Sequence, residues 1–342
     1  MTVTMKDIAL ECGVSSAAVS QVLRNPTHDR FPVTTRKRIL ETANRLNYRP
    51  NRLSQALRQK RSNIIGLVLP WDNPELMDKV EAVASEKGYK VMVQFTASPR
   101  KGKEIEALEA LTDWNVDGII WLPYGDASLY KVVLDKIARS DIKMVFLQRQ
   151  LKGYEFDVVD TDYAGAIEQS VIHMKEQGYN KIYYLFEELN FDLRIKRNEY
   201  FESYCEKYDI AHESVILNCS SSNQKDRLDI FIKKHREDSP FSVICSTDWM
   251  GAEFLEVLED NGLTAPDDIG VTIVGDLLVG GCLRVSNLTR PRLSAMRQNG
   301  ALQAKTAVNI LIDKIENKKA VDRKHITIPM DFIINSSTML KK

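Results

Sequence analysis

The sequence predicts an N-terminal all-α head built on a helix-turn-helix, followed by an α/β region of two lobes, each with a doubly wound parallel sheet. Three observations carry this. Thr4 to Arg24 holds two short amphipathic segments joined by a glycine, with a third helical pattern after them. From residue 63 onward, short apolar runs alternate with helical patterns, and the alternation runs through two series. Charge is also segregated: residues 1 to 62 carry twelve basic and four acidic side chains, a net of +8. The whole chain balances 47 against 47, so the other 280 residues carry −8 and any affinity for a polyanion is confined to the head.

The first helix is expected to start near Met5, because Thr4 and Asp7 have capping-box spacing, and to bury Ile8, Ala9 and Cys12. Gly13 ends it, being cheap in the left-handed conformation that closes a helix. Ser15 then caps a second helix running to about Arg24, with Val14, Val19, Val22 and Leu23 facing inward. Ser16, Ala17 and Gln21 are left on the other side, where a helix-turn-helix meets base edges in the major groove. The Gln21 amide both donates and accepts, which suits adenine N6 and N7, whereas Ser16 and Ala17 allow close approach or a thymine-methyl contact. An amphipathic pair around a glycine is common in itself. What distinguishes this one is the third helix, Thr35 to Leu46, whose Ile39, Ala43 and Leu46 complete a three-helix core, together with the concentration of basic charge.

Met5-Lys6-Asp7-Ile8-Ala9, Gly13-Val14-Ser15, Val19-Ser20 and Leu46-Asn47-Tyr48-Arg49-Pro50-Asn51 closely resemble the head and hinge of the LacI/GalR family of transcription regulators. The resemblance implies a homodimer on a pseudo-palindromic double-stranded operator. It makes Ser16, Ala17 and Gln21 base readers and Asn51 to Arg58 a hinge helix, with Leu57 wedged into the minor groove and Arg58 following the groove. The candidate DNA-contacting set is Thr4, Ser15, Ser16, Ala17, Ser20, Gln21, Asn25, Tyr48, Asn51, Arg52, Gln55, Leu57 and Arg58. The loop from Asn25 to Thr35 looks longer than the family's usual one and contains two prolines.

Beyond the tether 59 to 62, Ile64 to Pro70 is a continuous apolar run of the kind found in buried parallel strands. Strand patterns follow at Lys90–Phe95, Gly118–Leu122 and Lys143–Leu147, with helices near Glu75–Lys87, Lys103–Trp114 and Ser128–Arg139. A second series has strands at Lys181–Phe186, Ser214–Leu217, Ser242–Ser246 and Gly270–Val274. Its helices are near Asp162–Gln177, Arg194–Lys207, Asp226–His235 and Trp249–Asn261. Ligands of open parallel sheets lie at the carboxyl ends of the strands, so the cleft between the lobes is the natural site.

Weaker family-like residues continue to the C-terminal end, among them Asn73-Pro74, Asp160 through Gly165, Met296-Arg297-Gln298 and Ile328-Pro329. They imply the fold of periplasmic sugar-binding proteins. The organisation expected is a DNA-binding domain over 1–50, hinge and linker over 51–62, and an effector-binding and dimerisation domain over 63–342. Within the last, the resemblance places the first lobe at about 63–160 and 293–321 and the second at about 161–292 and 322–342, with crossings near 160, 290 and 322 and a helix from Asn299 to Lys314 returning to the first lobe. By position Arg197 matches the arginine that family members use on effector hydroxyls or carboxylates, and its planar fork suits bidentate contacts. Trp71, Asp72, Gln148, Thr247, Asp248 and Asp276 complete the candidate effector set. Lobe packing explains Trp71 and Trp249 equally well. Two departures stand out. Gly275 is followed by Asp276, Leu277 and Leu278 where the family has an aromatic and acidic or amide residues, so the effector carboxylate is absent or moved to Asp276. The segment from Asn73 to Gly88 looks about one helical turn short, which changes the pocket wall and the dimer contact.

No G-x-G-x-x-G follows a strand, and there is no G-K-[ST] loop or G-x-S-x-G elbow. His28, His173, His212, His235 and His325 lack ligand spacing, and the five cysteines never form C-x-x-C, so no metal site, cofactor, catalytic residue or disulfide framework is expected. No apolar run approaches 18 residues and the first helix starts at once, pointing to a cytoplasmic protein without a membrane partner. The expected function is a sequence-specific DNA-binding regulator, a repressor, governed by a small molecule in the cleft, sugar-like or another metabolite. The alternatives are a solute-binding protein, an effector-independent regulator, or an enzyme on the same scaffold.

Overall fold

A computed structural model describes residues 3–25, 30–49, 61–96, 102–125, 127–151, 153–187, 192–217, 223–317 and 322–340. The chain separates into two compact units, Met1–Ser62 and Asn63–Lys342.

The first unit is a three-helix cluster. Helices α1 (Met5–Glu11), α2 (Ser16–Arg24) and α3 (Val33–Arg45) bury Ile8, Val19, Val22 and Ile39 completely, with Ala9, Cys12 and Ala43 beside them. Each large aliphatic side chain so buried contributes about 1.5–3 kcal/mol, which is how seven- and nine-residue helices persist in one another's company. Gly13 adopts φ +58° and turns the chain between α1 and α2. The third helix begins two residues earlier than Thr35, with Pro32 at the N-cap. No side chain caps it there, and Thr34 and Thr35 are helical residues.

The second unit has two sheets. The first is parallel throughout, in the order His325–Pro329, β5 (Asp157–Asp162), β4 (Lys143–Leu147), β3 (Gly118–Trp121), β1 (Ile64–Leu69), β2 (Lys90–Phe95). Helix α4 (Pro74–Glu86) covers one face with the long helix Gly300–Glu316, through Leu76, Val80, Ala304, Val308 and Leu311. Helices α5 (Lys103–Asp113) and α6 (Lys131–Ala138) cover the other. Cores on both faces explain why β1 reads as an unbroken apolar run.

After α7 (Tyr163–Gln177) come β6 (Lys181–Glu187), α8 (Asp192–Lys207), β7 (Ala211–Leu217), α9 (Gln224–His235), β8 (Phe241–Cys245), α10 (Asp248–Asp260) and β9 (Ile269–Val274). A small hairpin of β10 (Leu278–Val279) and β11 (Leu283–Arg284), the short helix α11 (Val285–Leu288) and β12 (Ser294–Arg297) lead to α12 (Gly300–Glu316), β13 (His325–Pro329) and β14 (Asp331–Ile333). The second sheet runs β14-β12-β9-β8-β6-β7, with β14 antiparallel to β12.

The lobes exchange chain at places other than those expected. Ser294 to Arg297 pairs with Thr272 to Val274 and so belongs to the second lobe, moving the second crossing from about 290 to Gln298–Asn299. His325 to Pro329 pairs with Val158 to Asp162 and belongs to the first lobe, moving the third from about 322 to Met330. Both strands are short and take their register from partners on distant stretches of chain, which local pattern does not reveal. Helix α12 does return to the first sheet, as expected.

Candidate functional site

In the head, the α2 side away from the core is open. Ser16 and Ala17 are exposed and Ser20 and Gln21 half-exposed, whereas Ala18, Val19 and Val22 are buried. The position of this face follows from its cap: Ser15 Oγ accepts from the Ala18 N–H at 3.1 Å, and the Val19 N–H donates to the Ser15 carbonyl at 3.1 Å. At α1, the Thr4 N–H and hydroxyl both donate to Asp7 Oδ2 at 2.8 Å. These bonds, the backbone one first, hold the Asp7 carboxyl below its ordinary value. Asn25 closes α2, its N–H donating to the Gln21 carbonyl at 3.0 Å, and Tyr48 is half-buried against the head core. Lys6, Lys37 and Arg38 are exposed, and Arg45 pairs with Glu11. Asn51, Arg52, Gln55, Leu57 and Arg58 lie outside the described residues.

In the second unit, a cavity of about 440 Å³ opens at the carboxyl ends of both sheets. The first lobe contributes Trp71, Leu122, Tyr124 and Gln148; the second contributes Arg197, Ser246, Thr247, Asp248 and Asp276, and the crossing segment contributes Gln298. Trp71, Gln148, Arg197, Thr247, Asp248 and Asp276 are thus brought together as expected. Asp72 is not: it is exposed and does not line the cavity, because it follows Trp71 on the turn leading to α4 and its side chain leaves toward solvent.

The carboxylates around this cavity are engaged by the protein itself. Asp276 Oδ1 accepts from the Ser286 N–H at 3.0 Å, and its Oδ2 accepts from Ser286 Oγ at 2.9 Å and from Arg297 Nε and Nη2 at 2.9 and 2.7 Å. Its side chain is fully shielded. The displaced effector carboxylate expected at Asp276 is therefore an internal anchor for the 275–286 loop, four donors leaving it nothing to offer. Asp248 is pinned as well, Oδ2 accepting from the Leu277 N–H at 2.7 Å and Oδ1 from its neighbour Trp249 at 3.0 Å. Burial raises the Asp248 carboxyl above its ordinary value, and these N–H bonds partly oppose the rise. Gly275 passes Asp248 at φ +109°, a conformation that side chains rarely adopt. Thr247 Oγ1 accepts from the Met250 N–H at 3.2 Å and caps α10.

Three contacts join the lobes or brace the cavity wall, and none was anticipated. Arg284, on the β10–β11 hairpin, reaches Glu75 of α4 at 2.7 Å while donating to the Asp276 carbonyl at 2.9 Å. Gln148 Nε2 donates to Gln298 Oε1 at 2.9 Å and Gln303 Oε1 at 3.2 Å. Gln298 in turn donates to the Tyr163 hydroxyl at 2.6 Å, and Gln303 to Thr161 Oγ1 at 2.7 Å. The Glu104 carboxylate accepts from Trp121 Nε1 at 3.1 Å, the Tyr124 N–H at 3.0 Å and the Tyr130 hydroxyl, fixing the Leu122–Gly125 wall. Arg197 stands apart. Its guanidinium carbon lies 3.8 Å from the centre of the Tyr163 ring, and its buried Nε has no hydrogen-bond partner among the described residues. Among those residues no cluster of His, Cys, Asp and Glu could hold a metal ion.

Residues 4–51 match the family model described as bacterial regulatory proteins, lacI family, and residues 171–338 match the periplasmic binding protein-like domain. The chain is 27% identical over 353 residues to the NTD biosynthesis operon regulator NtdR of Bacillus subtilis (strain 168), covering 98% of this chain and 99% of that one. It is 24% identical over 347 residues to catabolite control protein A of Priestia megaterium, covering 99% and 100%. In fold it is similar to the lac repressor dimer bound to operator and the anti-inducer ONPF, with a TM-score of 0.82 at 20% identity over the full length of both chains.

Proposed function

Because the chain belongs to the lacI family of bacterial regulatory proteins, we propose that it is a homodimeric, sequence-specific DNA-binding transcriptional regulator, a repressor. The small molecule that sets its operator affinity binds in the cavity between the two lobes. The observation that carries this reading is the α2 face: Ser16, Ala17, Ser20 and Gln21 are open to a partner on a helix whose other side is packed away. Its placement suits a helix entering the major groove, with Gln21 as base reader and Thr4, Ser15 and Asn25 at the helix ends close to the phosphates. The roles of Asn51, Arg52, Gln55, Leu57 and Arg58 in a minor-groove hinge rest on the sequence resemblance.

Control is a matter of linkage. Effector and operator communicate only through a difference in the effector's affinity for two lobe arrangements, and the cavity between lobes, walled by residues of both, is where such a difference arises. The reading is of reversible binding without turnover. We place the protein in the cytoplasm, with its DNA; among the described residues no helix is long and apolar enough to cross a membrane.

The test uses the purified full chain and duplex fragments from its own genome. Binding is expected at low salt and is expected to select one pseudo-palindromic site. If each subunit neutralises three to five phosphates, affinity falls on the order of 10³–10⁵-fold between 50 and 200 mM salt. Indifference to duplex DNA at every salt concentration would reject the regulator and leave a solute-binding protein.

A further inference from the structure

A hydroxyl-rich neutral ligand needs acceptors for its O–H groups as well as donors for its lone pairs, and carboxylates are the acceptors best suited to the task. The charged side chains lining this cavity are Glu75, Asp248 and Asp276 on one side and Arg149, Arg197 and Arg284 on the other. Glu75 faces Arg284. Asp276 is consumed by Ser286 and Arg297, and Asp248 accepts from two backbone N–H groups. Among the other polar groups, Gln298 Oε1 is committed to Gln148, Asn73 Oδ1 to the Leu76 N–H and Thr247 Oγ1 to the Met250 N–H, while Ser246 Oγ is a buried hydroxyl without a hydrogen-bond partner among the described residues and can donate to a carboxylate. What the cavity does present is a cation. Arg197 has no carboxylate partner among the described residues, and its Nε is a buried donor with nothing to donate to. A buried donor of a charged group left unpaired is costly, so an acceptor arriving there is favoured. The remaining walls are apolar or aromatic: Leu69, Trp71, Leu122, Tyr124, Leu277 and Leu278.

From this we infer that the cavity takes a small organic carboxylate with an aromatic or comparably apolar body, with its charged end on Arg197, and does not take a neutral carbohydrate. That such a compound acts as the effector rests on the regulator reading above; that the cavity prefers an anion rests on the geometry alone. The Tyr163 ring under the guanidinium holds the fork in place, and the Gln148–Gln298–Tyr163 hydrogen bonds hold the ring, so the carboxylate site is assembled from both lobes. Binding there favours the arrangement in which Gln148 and Tyr163 are joined.

The experiment is a thermal-shift titration of the full chain with benzoate, phenylacetate, phenylpyruvate and indole-3-acetate. Glucose, ribose and cellobiose are run in parallel, all up to tens of millimolar. A ligand of the native state raises the melting temperature in proportion to the logarithm of its concentration once that exceeds Kd. At least one carboxylate is expected to give such a shift and the sugars none. Arg197→Ala and Arg197→Lys should each weaken that carboxylate on the order of tenfold or more, while Lys196→Ala, on the exposed neighbour, keeps the full shift. If Arg197→Ala does not fold, the lysine variant decides alone. A shift from a sugar, no shift from any carboxylate, or a carboxylate shift unchanged in Arg197→Lys would each overturn the inference. Operator binding is measured separately on the same preparation. Its presence without a carboxylate shift sinks only the anion assignment, and its absence sinks the regulator reading whatever the cavity binds.

Discussion

Gln21 is half-exposed on α2 while Ala18, Val19 and Val22 around it are buried, so its amide can be removed without disturbing the head core. Gln21→Ala is accordingly expected to weaken the preferred operator by about 1–3 kcal/mol and to relax preference at a single base pair. Competition binding against operators changed one base pair at a time checks this; an unaltered selectivity profile would deprive Gln21 of its reader role. Asp276 gives the opposite case, a residue nominated for ligand binding that turns out to be structural. Asp276→Ala removes one side of an ion pair whose carboxylate is fully shielded, stranding Arg297 and the Ser286 N–H. We expect a loss of roughly 3 kcal/mol in urea unfolding, at the low end for such one-sided removals because Arg297 remains 26% exposed. The contrast shows what a sequence reveals at this scale. The exposure of Gln21 was legible from its position on the helix, and the place of Arg197 on the cavity wall from the family resemblance. Asp276 and Asp72 were not legible, because where a carboxylate near a strand end faces depends on its surroundings: Ser286 and Arg297 hold Asp276 inside the protein, and Asp72 is left exposed to solvent.

The elements follow local chemistry closely where they are capped or periodic. The Thr4–Asp7 spacing and Gly13 set the ends of α1, and Ser15 starts α2 where expected. The same chemistry makes α1 sensitive to pH. Thr4 holds the Asp7 carboxyl below its ordinary value, so the unfolded head binds a proton there more readily than the folded one. The stabilisation is therefore present above the ordinary value of 3.8 and is lost as pH falls through and below it. Thermal melts of the wild type and Asp7→Asn should differ in the head transition at neutral pH and converge below that value; a gap that persisted or widened in acid would refute the link. Among the α/β elements, β1 to β4 were readable as apolar runs because helices cover both faces. The edge strand β13 and the short β12 were assigned to the wrong lobes, since their identity comes from pairing with β5 and β9, more than 20 residues away in β12 and more than 160 in β13.

At the scale of the molecule, the basic head was legible from charge counting alone, but the way the lobes of the second unit hold each other was not. The pair Arg284–Glu75 joins residues 209 positions apart, and Gln148–Gln298 joins residues 150 apart. Arg284 belongs to the β10–β11 hairpin, and it fastens that hairpin to the first turn of α4 across the cavity mouth. Both side chains keep about a fifth of their surface exposed, at 20% and 24%, so water and salt screen the pair and its net worth is about 1 kcal/mol or less. That is still enough to matter for a two-state equilibrium, where 1 kcal/mol changes the ratio about fivefold. Glu75→Gln should therefore shift the lobes of the full chain toward separation. Amide exchange at Leu277–Arg284 is expected to speed up by a few-fold, and added salt should produce the same acceleration in the wild type but little in the variant. A double-mutant cycle with Arg284→Gln isolates the pair from other effects of either change. If exchange in the hairpin is unmoved by Glu75→Gln, or the two substitutions are simply additive, the hairpin is held by its own packing and the ion pair plays no part in the approach of the lobes.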